Sequence, residues 1–315
     1  MSVRHIGLVA LGEGESIGWG EASPYPSQDE PLEDVLIRAH EGVVGDLLSA
    51  AIDEAANDLA IRRHEVSVAT SVGSDHRSVP ISVAVGMGES AVAATDSAAS
   101  QGITRFKVKV APGSIGHVSA IRARHPDAVI GIDANGSFSE SDADELITAG
   151  DLNLAYIEEP CSAHDAATLH AVREVLDVPV FADESVRSGE DVSRVVDRRL
   201  VDGVVIKPGR LGFTGALDAI AAVERAGMRW RASGLLESSV GRAYTNVLAS
   251  MPNAFVSDVA PADWFLEADV TSTLVENGSV VLPTGPGIGF NPDPAVIERY
   301  LVARHDLSHL TGQLT

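Results

Sequence analysis

Lysine is nearly missing from this chain. Of 23 basic residues only three, Lys107, Lys109 and Lys207, are lysines, and the other 20 are arginines. Where a plain positive charge is needed the chain uses arginine, which keeps its proton at any accessible pH, whereas lysine gives its proton up when its surroundings favour that. All three lysines lie on apolar, strand-like runs, which marks them for chemistry rather than solubility. Cysteine is scarcer still: the single Cys161 excludes an internal disulfide and a cysteine metal cluster. No apolar run reaches the ~20 residues that a membrane-spanning helix needs. The start, Met1-Ser2-Val3-Arg4-His5, lacks the apolar stretch of a signal peptide, so the expectation is a cytoplasmic protein with no membrane partner. Basic charge is short overall, with 23 Lys and Arg against 45 Asp and Glu and a formal net charge of −22. That balance argues against nucleic acid and anionic surfaces as partners.

What is present is a large apolar fraction, 45% of 315 residues, enough to bury the core of one large α/β domain and a smaller companion. Residues 3–22 read as two strands around a Gly/Glu turn, and residues 31–63 as a helix in two pieces. A polar joint follows at 71–78. From Val79 onward strand-like and helical patterns alternate, with apolar runs at 80–85, 103–110, 128–133, 154–158, 178–182, 203–206, 228–232 and 254–259. Such alternation implies parallel strands with right-handed crossovers, and eight repeats point to a closed (β/α)8 barrel. The expected organisation is therefore an α/β protein: an α+β capping domain begun by residues 1–78, a barrel over 79–262, and a segment 263–315 that returns to the cap. Residues from about His305 onward are expected to be disordered. The turn-rich stretch Ala22–Gln28 is expected to fold over the barrel mouth.

In Phe106-Lys107-Val108-Lys109-Val110 the two lysines share one face of a strand. Acidic residues end the next three runs, at Asp133, Glu158 and Asp183, and Lys207 ends the one after; the spacings are 25, 25 and 24 residues. One such residue per βα unit places them on neighbouring strands at the C-terminal mouth of the barrel, where this architecture keeps its active site. Three carboxylates converging there would repel one another unless a divalent cation joins them, and hard oxygen donors suit Mg2+ or Mn2+. Lysines on both sides of such an ion suit removal of a proton α to a carboxylate. The ion would take up the developing charge, and a lysine would take the proton. A Schiff-base aldolase built on Lys207 is the competing chemistry, but it leaves the three acids without a use.

The motifs Lys107-Val108-Lys109, Asp133-Ala134-Asn135, Glu158-Glu159-Pro160, Asp183-Glu184-Ser185 and Ile206-Lys207-Pro208-Gly209-Arg210 resemble the enolase superfamily, whose sites pair a lysine or histidine base with Mg2+. The closing run Pro283-Thr284-Gly285-Pro286-Gly287-Ile288-Gly289 is similar to that of the muconate-lactonising-enzyme-like branch. Gly18-Trp19-Gly20-Glu21-Ala22-Ser23-Pro24 and Ser233-Gly234-Leu235-Leu236-Glu237-Ser238-Ser239-Val240-Gly241 look like the o-succinylbenzoate synthases within it. The resemblance implies a small carboxylate substrate and a dehydration through a metal-stabilised enediolate. It implies Asp133, Glu158 (rather than Glu159) and Asp183 as ligands and Lys109 as the general acid/base. Lys207 would stabilise the enediolate, with Lys107 supporting the substrate carboxylate and Lys109. It also implies Asn135 and Glu184 as supports beside the ligands, and Ser238 and Ser239 as partners of the succinyl carboxylate. N-acylamino acid racemases, dipeptide epimerases and muconate cycloisomerases use the same lysines and remain the alternatives. One departure is Gly212-Phe213, where that family usually shows two glycines.

Overall fold

The structure, a computed structural model, describes residues 3–162 and 165–313. It opens with an antiparallel hairpin, β1 (Gly7–Glu13) and β2 (Ser16–Ala22). Helices α1 (Leu32–His40) and α2 (Asp46–Arg63) follow, then the single turn α3 (Val68–Ser71). Helix α2 lies directly on β2 because Gly18 and Gly20 have no side chains there. A Cβ at Gly20 would stand 1.9 Å from the Ala51 carbonyl oxygen, and one at Gly18 2.1 Å from that of Ala55.

After the short β3 (Ser78–Pro80) the alternation begins. It runs β4 (Ser82–Val85), α4 (Glu89–Ala99), β5 (Arg105–Lys109), α5 (Ile115–Arg124), β6 (Val129–Asp133), α6 (Ala143–Gly150), β7 (Tyr156–Glu158) and α7 (Ala166–Val175). It continues with β8 (Val180–Ala182), α8 (Gly189–Arg198), β9 (Gly203–Ile206), α9 (Pro208–Arg225), β10 (Arg229–Ala232) and α10 (Ser239–Ala249). Strands β4 to β10 form one parallel sheet in strict sequence order, the connectivity that right-handed βα units produce.

The eighth place around the barrel is filled by residues 254–259, which make no regular strand. The N–H groups of Phe255 and Asp258 donate to the carbonyls of Trp230 and Ala232 at 2.9 and 2.8 Å, and on the other side Ser82 N–H donates to the Val259 carbonyl at 2.9 Å. Side chains take the remaining ladder positions: Ala232 N–H donates to Ser257 Oγ at 2.9 Å, and Arg231 Nε to the Val256 carbonyl at 2.6 Å. The sheet is thus closed into a barrel, but across one seam by side chains as well as backbone.

The barrel has an apolar floor and a charged mouth, and the period of two along each strand makes both. Tyr156, Phe181 and Val205 pack together with Phe255 against them at one end of the interior. Two residues further along the same three strands come Glu158, Asp183 and Lys207, all buried.

The chain then returns. Strands β11 (Val275–Glu276) and β12 (Ser279–Val281) extend β3 as an antiparallel sheet, and Gly287 and Val66–Val68 exchange backbone hydrogen bonds. After α11 (Pro294–Tyr300) the described tail is not free, contrary to the sequence reading. Leu310 is buried among Val35, Ala39, Leu48 and Ile52 of the cap, and a His309 ring nitrogen meets the Ala39 carbonyl at 3.1 Å. An apolar residue in a polar terminus was enough to anchor it. At the Gly212-Phe213 pair α9 bends: Gly212 has φ +73°, and a Cβ there would meet Asp53 Oδ2 at 2.7 Å. That carboxylate accepts the Thr214 N–H at 2.8 Å, while Phe213 is buried against Tyr244, ring centroids 5.3 Å apart. The departure shapes the contact of α9 with α2 and touches none of the candidate site residues. Among the described residues no helix is long and apolar enough to cross a membrane.

Candidate active site

Lys107, Lys109, Asp133, Glu158, Asp183 and Lys207 all turn into the barrel at its mouth, joined by ion pairs. Lys109 Nζ stands 2.7 Å from Asp133 Oδ2 and 2.6 Å from Asn135 Oδ1. Lys107 Nζ meets Asp133 Oδ2 at 3.1 Å, Glu158 Oε1 at 3.0 Å and Asp258 Oδ2 at 2.6 Å. Lys207 Nζ contacts both oxygens of Asp183, at 2.6 and 2.8 Å. Lys107 is buried, whereas the Lys109 side chain keeps 33% of its surface exposed. Burial opposes the charge on Lys107, but the Asp258 and Asp133 carboxylates outweigh it and raise its pKa. Asp133 is the mirror case: burial pushes its pKa up, and Lys107 and Lys109 together hold it well below the usual carboxylate range.

Some of the residues expected to meet substrate are engaged with protein groups in this geometry. Lys107, expected to support the substrate carboxylate and Lys109, has its ammonium against three protein carboxylates, Asp133, Glu158 and Asp258. Ser238 and Ser239, expected to meet a succinyl group, are buried and engaged elsewhere. Ser238 Oγ donates to Glu21 Oε2 at 2.5 Å while capping α10, and Ser239 Oγ donates to Asp269 Oδ2. A helix N-terminus next to buried carboxylates uses its hydroxyls locally.

Asn135 and Glu184 lie at the edge of the cluster. Asn135, at φ +46°, accepts from Lys109 and donates through Nδ2 to Glu184 Oε1 at 2.8 Å. Glu159 faces away from Lys107 and shapes the end of β8. Its Oε2 accepts the N–H groups of Asp183 at 2.6 Å and Ser185 at 3.3 Å, and its Oε1 accepts the Ser185 hydroxyl. Burial pushes its pKa up to about 7 against those donors. The turn-rich loop is tied across the mouth: Gln28 Nε2 donates to Glu184 Oε1 at 3.1 Å, and Asp29 Oδ1 accepts from Arg210 at 2.7 Å and Arg187 at 2.6 Å.

Sequence reasoning missed Arg231, Asp258 and Tyr156. Asp258 is an acid next to the last position of the eighth apolar run and could have been found by a looser form of the rule that found Asp133. Arg231 gave no such signal, because Trp230 and Arg231 are both buried and the alternation of their strand is hidden.

The three acids line up rather than converge. Each side chain has turned to its nearest cation, and among the described residues no three Asp, Glu, His or Cys side chains meet at one point as a metal cluster. Their chemistry nonetheless suits a divalent ion, since all are hard oxygen donors on adjacent strand ends. One buried oxygen beside them, Glu184 Oε2, also lacks a hydrogen-bond donor.

Residues 89–296 match the family described as enolase C-terminal domain-like. The chain belongs to the enolase superfamily. An N-succinylamino acid racemase of Amycolatopsis sp is 31% identical over 96% of this chain and 81% of its own length. An o-succinylbenzoate synthase of Geobacillus kaustophilus is 29% identical over 81% of this chain and 70% of its own. Among solved structures, a probable mandelate racemase from Alicyclobacillus acidocaldarius aligns with a TM-score of 0.86 at 28% identity, covering 95% of this chain and 91% of that one. As an enolase-superfamily enzyme the chain thus combines the barrel, the cap and a lysine on either side of a row of strand-end carboxylates.

Proposed function

We propose that this enolase-superfamily enzyme is an o-succinylbenzoate synthase, the lyase that dehydrates 2-succinyl-6-hydroxy-2,4-cyclohexadiene-1-carboxylate to 2-succinylbenzoate in menaquinone biosynthesis. The observation that carries the reading is the row Lys109–Asp133 and Asp183–Lys207, which puts one amine at each side of the strand-end acids. Asp133, Glu158 and Asp183 are the residues that would hold Mg2+ or Mn2+. When bound, the ion supplies a Lewis acid that draws charge onto the substrate carboxylate and makes its α-proton removable.

Lys109 is the base. It is the more open of the two lysines on β5, and as the free amine it takes the α-proton, breaking the C–H bond. As the C–O bond to the neighbouring hydroxyl breaks on the same face, Lys109 returns that proton and the hydroxyl leaves as water. Lys207, held by Asp183, presents a cation to the opposite face of the substrate. Lys107 stays an ammonium below them, keeps Asp133 ionised and pairs with Glu158. Gln28 and Asp29 anchor the loop that excludes bulk water.

Racemisation of N-succinylamino acids is the second reading. It is favoured by the Amycolatopsis relative, similar over 96% of this chain, and by the same pair of lysines, which could remove a proton on one face and return it on the other. The test is turnover of the cyclohexadiene, followed as the aromatic product, beside racemisation of an N-succinylamino acid, with and without EDTA. We expect dehydration that EDTA abolishes and Mg2+ or Mn2+ restores. Racemisation without dehydration would overturn the synthase reading, and activity indifferent to EDTA would overturn the metal site.

A further inference from the structure

Arg231 is wholly buried inside the barrel. Its guanidinium lies over the ring of Tyr156, Cζ 4.0 Å from the centroid. Gly131 on the adjoining strand makes room for that ring, since a Cβ at Gly131 would stand 2.1 Å from it. Each part of the guanidinium has a partner. Nε donates to the Val256 carbonyl at 2.6 Å and Nη2 to the Tyr156 hydroxyl at 2.8 Å. The two prongs then divide between two carboxylates, Nη1 to Glu158 Oε2 and Nη2 to Asp258 Oδ1. The second oxygens of both acids meet Lys107, and Asp258 Oδ2 also accepts the Ser233 hydroxyl at 3.0 Å. Arg231, Glu158, Lys107 and Asp258 therefore form a closed ring of alternating charge directly beneath the mouth.

Stability is a poor explanation for such a ring. Desolvating two cations and two anions offsets most of what their attraction returns, and well-packed apolar residues often do as well or better. What the ring provides is orientation. Glu158 is gripped at both oxygens from below, while a carboxylate has about four acceptor positions, so further ones remain for a ligand above. A planar fork can bridge two carboxylates in fixed geometry; an ammonium cannot.

We propose that Arg231 is a positioning residue for Glu158: its two-pronged hold on Glu158 and Asp258 fixes the orientation in which Glu158 is offered to the divalent ion. This rests on the reading of Glu158 as a metal ligand. The experiment is titration of the metal-free full-length protein with Mn2+, read from the EPR signal of the free ion, with thermal melting in parallel. Wild type is expected to bind one Mn2+, and Asp133→Asn to bind it far more weakly. Arg231→Lys keeps the charge but loses a prong. The pair Arg231→Met with Asp258→Asn removes one charge of each sign, and so guards against misfolding from an unpaired buried charge. Both are expected to bind Mn2+ about 10–100-fold more weakly, the usual cost of losing a residue that orients a ligand, and to lose kcat more than KM. A folded Arg231→Lys or double variant that binds Mn2+ within about threefold of wild type overturns the proposal, because Arg231 would then be only a buried structural cation. Wild type without Mn2+ binding, or Asp133→Asn with undiminished binding, overturns the metal reading itself, and the proposal with it; only the Arg231 arms can sink the proposal alone.

Discussion

Two of the groups of buried carboxylates in this molecule are compensated in opposite ways. At the barrel mouth Asp133, Glu158, Asp183 and Asp258 share Lys107, Lys109, Lys207 and Arg231. At the seam between cap and barrel, Glu21 of β2, Glu54 of α2 and Glu237 before α10 are equally buried. There the cations are Arg242, with Nε 3.4 Å from Glu237 Oε2, and Arg4, whose pKa burial itself lowers. Glu21 is served instead by neutral donors: Ser238 N–H at 2.9 Å, Ser238 Oγ at 2.5 Å and Gly241 N–H at 3.0 Å.

Between these two groups the cations, rather than the depth, set the direction of the shift. Asp258 is buried, yet Arg231 and Lys107 hold it at about 2 against the desolvation. Glu21 is pushed up to about 7 by burial, with Glu237 adding to the rise against its hydroxyl and amide donors. Glu54 is raised well above the usual range by burial and by Glu21 and Glu237. All three of the chain's lysines sit at the mouth, where Lys107, Lys109 and Arg231 hold Asp133 and Asp258 in the charged form. At the seam burial pushes Glu21 and Glu54 towards the protonated form.

The sharpest way to break this comparison is at Lys109. We expect Lys109→Ala to lower kcat/KM by about 10²–10⁴, the range for losing a positioned acid/base. Lys109→Arg should be almost as damaging, because arginine keeps the charge but cannot release a proton. The melting point should respond less than activity, since Lys107 still pairs the buried Asp133 when Lys109 is gone. An Arg variant with a tenth of wild-type turnover would return Lys109 to the role of a structural cation.

The seam is tested by pH. Glu21 titrates at about 7 in the folded protein against an ordinary 4.5, so the folded state binds the proton more tightly than the unfolded one. The stability this contributes is full below about pH 4.5 and is lost as pH rises through about 7, and a shift of this size is worth about 3 kcal/mol. The mouth behaves oppositely: the contribution of Asp258 is present above its ordinary 3.8 and is lost as pH falls through about 2. Glu21→Gln cannot ionise, so the decline of its unfolding free energy between pH 5 and 8, measured by urea titration, should be shallower than that of wild type. An unchanged slope would show that Glu21 carries no linked proton.

The same contrast explains what could be read from the residues alone. Strand ends were legible because Asp133, Glu158, Asp183 and Lys207 recur at nearly constant spacing, and each repeat is one βα unit. The hairpin and the two pieces of the capping helix were legible from period and turn chemistry. The partner of each charge was not. Nothing in Val178–Asp183 says that Glu159 will hold the N–H of Asp183. Nothing in Arg229-Trp230-Arg231-Ala232 says which side chain enters the barrel, because β10 is buried on both faces. The eighth strand was read as regular because its apolar content is that of a strand, and its ladder was then partly taken over by Arg231 and Ser257.

Ser239 provides the finest test, because the family resemblance and the geometry assign it different work. If it recognises a substrate carboxylate, its loss raises KM and leaves the fold alone. In the structure its hydroxyl and N–H both donate to Asp269, the N–H at 2.9 Å to Oδ1 and the hydroxyl to Oδ2. That carboxylate tethers the returning segment to the first turn of α10. Ser239→Ala removes one donor from a half-buried acceptor, which costs about 1–2 kcal/mol. We therefore expect a lower urea midpoint and a KM within about twofold of wild type. A KM raised tenfold at unchanged stability would mean that the serine leaves Asp269 for the substrate. The mouth would then reach further along α10 than the ion pairs at Asp133 and Asp183 suggest.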